Sequence, residues 1–155
     1  MLKKTIIIAI LLCTLFTGIF AQTKGLGVGI MLGEPTGVGV KFWLDKISAL
    51  DLGLAWSFLE PVSFRIHGDY LAHFLNPFPE PLNNLFFYAG LGIRVNISTL
   101  PEMIALGIRI PLGIGYFINA LPLDIFLEIA PGLNLLLETA STIGFLFGVR
   151  YFFTV

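Results

Sequence analysis

Between Ile143 and Phe153 the sequence alternates without a break. Ile143, Phe145, Phe147, Val149, Tyr151 and Phe153 fall on one side at period two, and Gly144, Leu146, Gly148, Arg150 and Phe152 on the other. Period two is the mark of an extended strand, because successive side chains point to opposite faces. The first face carries four aromatic residues at six positions. Such a face has to be covered, and a protein core or lipid would serve equally well.

The same alternation recurs seven more times upstream. The segments are Gly25–Gly33, Gly37–Leu44, Ala49–Phe58, Val62–Phe74, Leu85–Val95, Leu106–Ile118 and Leu123–Leu133. Most come close to the roughly 9–11 residues that a tilted strand needs to cross a bilayer. Turn chemistry separates them: Glu34-Pro35-Thr36, Asp45-Lys46, Glu60-Pro61, Asn76-Pro77 through Asn84, Asn96 through Glu102, and Asn119 through Pro122. Pro111 and Pro131 fall inside the sixth and seventh segments. Each removes a ladder donor, and either could mark a bulge.

Composition narrows the choices. Of the 155 residues 56% are hydrophobic and only 12% charged, whereas an ordinary soluble domain carries about 25% charged residues. The 17 Gly and 15 Phe, with few Lys or Glu, disfavour a helical bundle. A net charge of −1 provides no basic surface for nucleic acid. Residues 1–21 read as a secretory signal peptide: Lys3 and Lys4, an apolar run from Thr5 to Phe20, and Ala21 before the cleavage point. Cys13 lies inside it. The mature domain, residues 22–155, then has no cysteine, which excludes disulfides and thiol chemistry.

Past residue 21 no apolar run is long enough for a membrane helix. An open sheet in lipid would leave unpaired edges, so eight hairpin-linked strands must close on themselves. The expected fold is all-β: an eight-stranded antiparallel up-and-down transmembrane β-barrel. A soluble lipocalin-like barrel, with its apolar face inward, is the alternative.

The non-apolar face separates the two. It carries Lys41, Asp51, Arg65, His67, Asp69, Arg94, Arg109, Asp124, Glu128 and Arg150, interleaved with glycines. In a narrow lumen glycine makes room for long side chains, while on a soluble exterior it has no obvious use. The charged face is therefore expected inside, with five cations and four anions in near balance. Hairpin counting places Arg150 diagonally near Asp124 and Glu128, and Lys41 near Asp51. This charge network is expected to fill the lumen.

In such a meander both chain ends share one side, which would be periplasmic, with the turns at 45–48, 75–84 and 119–122. Phe42, Trp43, Phe74, Phe78, Phe86, Phe87, Tyr116, Phe117, Tyr151, Phe152 and Phe153 gather there like an interfacial girdle. Trp56, Phe58 and Phe64 lie toward the other rim. Each outer loop carries one glutamate: Glu34, Glu60, Glu102 and Glu138. These read as solvated loop residues, with a divalent-cation rim as the sharper alternative.

Over the whole mature domain this strand pattern resembles the small OmpA/OmpX-type outer-membrane barrels. The sharpest local match is the C-terminal assembly signal, where Gly148, Tyr151 and Phe153 fit the family form. Leu146 stands where a polar residue is usual, and Thr154-Val155 extend past the terminal aromatic. The resemblance implies an outer-membrane location and insertion by the barrel-assembly machinery. Membrane lipid is the expected surround, the chain is expected to be monomeric, and the short outer loops disfavour adhesion.

Catalysis is not expected. Ser63, His67, Asp69 and His73 share one face of the fourth segment, but neighbours on one strand face lie about 7 Å apart, long for a catalytic set. His67 and His73 are separated by roughly 20 Å along a strand, too far to share a metal. Gly25-Leu26-Gly27-Val28-Gly29 lacks the spacing and following helix of a nucleotide loop, so no cofactor is expected. The expected role is structural, maintaining membrane integrity with a mostly filled lumen. A narrow channel for water, ions or small solutes is the alternative, and a lipid-modifying enzyme a third.

Overall fold

A computed structural model describes residues 25–57, 62–99, 102–136 and 139–153, except the side chains of Thr99 and Glu102. The proposed signal peptide, Phe58, Glu60, Glu138 and Thr154-Val155 lie outside the described residues. The strands are β1 (Leu26–Gly33), β2 (Thr36–Trp43), β3 (Ser48–Ser57), β4 (Ser63–Leu75), β5 (Leu85–Thr99), β6 (Glu102–Arg109), β7 (Leu112–Ile118), β8 (Leu123–Asn134) and β9 (Ser141–Phe153). All pairings are antiparallel, and β9 returns to β1 to close the ring. Closure leaves no sheet edge in need of a partner.

Nine segments make eight staves. β6 and β7 are one strand interrupted at Ile110-Pro111, and both lie between β5 and β8. Neither proline makes a bulge. On β5, Gly92 faces Arg109 and Ala89 faces Leu112, so the register runs unshifted through Pro111. Pro131 likewise sits in register opposite Ile143. Each proline omits only its own donor. The Pro111 carbonyl still accepts from the Gly90 amide at 2.9 Å, and that of Pro131 from the Ile110 amide at 2.9 Å.

The second correction concerns residues 96–102, expected as a turn. β5 continues to Thr99 and pairing resumes at Glu102, with Ser98 opposite Met103. Asn96 is thereby a strand residue on the lumen face. Polar residues in this stretch suit a strand whose inner face is polar, so turn propensity alone misplaces the boundary.

The faces follow the parity of the sequence. Outside stand exposed aliphatic and aromatic residues, among them Leu52 at 59% and Phe145 at 62% exposure. Inside lie the ionisable residues and, at the end holding the termini, a packed floor of Trp43, Leu71, Phe86, Tyr88, Phe117, Phe126 and Phe152. Phe86 and Phe117 stack there with ring centroids 4.4 Å apart.

The floor corrects the expected girdle. Trp43, Phe86, Phe117 and Phe152 are buried in the lumen and do not face lipid. They share strand parity with Lys41, Tyr88, Gly115 and Arg150, so each points inward. Phe42, Phe74, Phe78, Phe87 and Phe153 are exposed at that end, with Tyr116 and Tyr151 partly so. Toward the opposite rim Phe64 is exposed and Trp56 half-buried.

Candidate functional site

The interior is the part of the molecule with chemistry to account for. Nine of the ten ionisable residues expected on the lumen face are buried, Lys41 and Asp124 completely, and Arg65 is half-buried. Their positions follow from strand parity, and glycines accommodate their bulk. A Cβ at Gly29 would collide with Arg150, its register partner on β9, and one at Gly115 with the ring of Phe86, its partner on β5. Large inward side chains thus lie over the bare backbone of the neighbouring strand, and most of those covering glycine are rings, not arginines.

Arg150 is the hub. Its Nε donates to Asp124 Oδ1 at 3.1 Å and its Nη1 to Asp51 Oδ2. Asp124 is its direct register partner on β8, whereas Asp51 on β3 lies beyond β1 and β2. The Arg150–Asp51 pair therefore spans the interior. The expected contact with Asp124 is present, and that with Glu128 is replaced by Asp51. Glu128 sits opposite Leu146, further along β9, and bonds elsewhere.

Arg109 on β6 forms the second bridge. Its Nη2 donates to Glu128 on β8, and its Nε lies 3.4 Å from Asp69 Oδ1 on β4. Tyr88 donates its hydroxyl to Glu128 Oε2 at 2.9 Å. Asp51 and Asp69 face each other in register, a like-charge neighbour pair that is kept apart by assigning each to a different arginine.

Lys41 corrects another expectation. It is the register partner of Asp51, yet its Nζ turns away to the aromatic floor, 2.6 Å from His73 Nε2. The rings of Trp43, Phe86 and Tyr88 lie 4.9–5.7 Å from the amine. Aromatic faces attract a cation, and Arg150 already holds the carboxylate of Asp51. Among the described residues Lys41 has no carboxylate within 4.0 Å.

Arg65 and Arg94, toward the end opposite the termini, bond neutral oxygens. Arg65 Nε donates to Asn96 Oδ1 at 2.8 Å, and Arg94 Nη2 donates to Asn134 Oδ1 at 2.9 Å and to Thr142 Oγ1. Sequence reasoning missed Tyr88, Asn96, Asn134, Thr142 and the aromatic floor. Parity alone would have placed Tyr88 and Phe86 with Arg94 on the inner face of β5, and Phe126 with Asp124 on β8.

The residues considered for catalysis do not assemble into a triad. His67 Nε2 is 3.9 Å from Asp69 Oδ2, while His73 is engaged by Lys41 and the Ile47 carbonyl. Ser63 lies four residues from His67, about 13 Å along a strand. Among the described residues no group of three His, Cys, Asp or Glu side chains is placed to hold a metal.

An apolar exterior around a charged, packed interior inverts the plan of a soluble barrel. The fold is a transmembrane β-barrel. No sequence family matches the chain, and no curated protein matches it in sequence. A solved structure, Neisserial surface protein A (NspA), matches with a TM-score of 0.55 at 12% identity, over 83% of this chain and 93% of that one. At this identity the likeness is one of fold, and it agrees with the resemblance to small OmpA/OmpX-type barrels.

Proposed function

We propose that the protein is an outer-membrane barrel with a structural, membrane-integrity role and a closed lumen, not a catalyst. The observation that carries this reading is the pair of cross-barrel bridges: Arg150 to Asp51 and Asp124, and Arg109 to Glu128 and Asp69. Side chains that meet across the interior support a closed lumen. The aromatic floor around Lys41, packed at the end with the termini, supports it independently. A lumen of eight strands is just wide enough for side chains to fill.

On this reading the chain reaches the outer membrane through a signal peptide cleaved after Ala21, and the barrel-assembly machinery reads Gly148, Tyr151 and Phe153. Gly148 faces the lumen, while Tyr151 and Phe153 lie on the outer face of β9 beside β1. The end with the termini would be periplasmic. It presents the exposed ring of Phe42, Phe74, Phe87 and Phe153 at the lipid boundary. The barrel would be a monomer in lipid. Glu34 at the other rim is exposed and serves as a solvated loop residue, whereas Glu102 begins β6.

Planar-bilayer recording tests the closed lumen at two salt concentrations. No steady conductance above the bare bilayer is expected. A steady, salt-dependent conductance would establish the narrow-channel alternative instead. Incubation with outer-membrane glycolipid followed by mass spectrometry should show no change in lipid mass.

A further inference from the structure

The lumen holds five cationic side chains and four carboxylates, one positive charge in excess. The carboxylates are taken up in the middle of the barrel by Arg150 and Arg109. Arg65 and Arg94, nearer the loop end, have only neutral oxygens as hydrogen-bond partners among the described residues. Arg94 is 3% exposed and its Nε has no partner among those residues. A cation withdrawn from water without a counter-charge is costly.

A small cavity lies beside these groups. Its volume is about 30 Å³, and Arg65, His67 and Arg109 line it, with Met31 and Ala55 among its apolar neighbours and Glu34 at the rim. His67 Nδ1 is buried and without a hydrogen-bond partner among the described residues, while Arg109 Nε faces Asp69 Oδ1 at 3.4 Å. Arg65 donates its Nε to Asn96 Oδ1 and lines the cavity. Arg94, the register partner of His67, adds positive potential from the next strand. A space of this size takes about one or two water-sized particles. A halide is of that size. Two carboxylates oppose an anion here: Glu34, which is exposed, and Asp69, which lies 3.4 Å from Arg109 Nε and 3.9 Å from His67 Nε2.

We propose that this cavity binds one small monovalent anion, a chloride-sized halide. Arg65 supplies the charge, His67 donates through Nδ1–H, and Arg109, shared with Asp69 and Glu128, lines the wall. The bound anion cancels the excess positive charge of the lumen. The site belongs to the inner wall of the barrel and does not depend on whether the lumen conducts.

Crystals of the unaltered protein grown in bromide test the site directly. An anomalous peak beside Arg65, His67 and Arg109 is expected, and an empty cavity would overturn the proposal. Chloride-35 NMR line broadening of the protein in micelles gives the affinity. Broadening should saturate, be displaced by bromide, and weaken at least about tenfold in Arg65→Gln, as loss of a charge-assisted hydrogen bond implies. Glu34→Gln should tighten binding, because it removes one opposing charge. Broadening that does not saturate, or is equal in all three proteins, would count as an adventitious ion only and refute the site. The diffraction result stands even if Arg65→Gln fails to fold.

Discussion

Arg150 is the residue on which the interior depends most. It is 2% exposed and binds two carboxylates that have no other cation within 4.0 Å among the described residues. Removing one partner from a buried ion pair leaves the other uncompensated and costs about 3–5 kcal/mol. Arg150→Met should therefore lower the unfolding free energy by about that amount, measured by urea titration in detergent. Lys41 offers the contrast. It is equally buried but holds no carboxylate, so Lys41→Met leaves no orphaned anion and should cost under about 1 kcal/mol. Equal losses in the two variants would show that burial, and not pairing, sets the cost.

At the scale of elements, the turn between β2 and β3 shows how a short polar segment pins a hairpin outside the membrane. The Asp45 carboxylate accepts from the amides of Ile47 and Ser48, both at 2.8 Å. These bonds favour the charged form and hold its pKa below the ordinary aspartate value of 3.8. A depressed folded-state pKa means that the turn's contribution is present above that ordinary value and is lost as pH falls through the folded one. Carbon-13 NMR of the Asp45 carboxyl should titrate below 3.8. In Asp45→Ala the Ile47 and Ser48 amides should exchange faster at neutral pH. Unchanged exchange would remove the turn's role.

The interrupted stave β6–β7 carries the second lesson at this scale. A proline inside an alternating run suggested a shifted register, yet the pairing on both flanks is continuous. Pro111 turns its ring inward, where it is buried, and forgoes one ladder bond. Neighbouring strands on both sides hold the register, so one missing donor does not move the chain.

Across the whole molecule, closure and inversion act together. Every strand is paired on both sides, apolar side chains face out, and ion pairs cross the middle. Such a barrel should resist SDS until heated. An unboiled sample is expected to migrate faster on a gel than a boiled one, and to need detergent for solubility. No mobility shift, together with solubility in plain buffer, would argue against the membrane assignment.

The strand pattern and the inward direction of Arg150, Lys41 and Glu128 were legible in the chain itself. Alternation is a local property, and a two-residue repeat assigns each side chain to a face before any strand meets another. The same parity already marked Trp43, Phe86, Phe117 and Phe152 as interior. Grouping aromatics by nearness to one end hid this. What local pattern could not decide was partnership. Arg150 takes Asp51 across the barrel instead of Glu128 on the next strand, and Lys41 leaves its register neighbour Asp51 for His73. Those choices depend on how strands distant in sequence are staggered once the sheet closes, and on which side chains reach across the shared interior. Periodicity assigned the faces of this protein. Only the closed tertiary structure, with its fixed register and limited interior space, assigned the charges to one another.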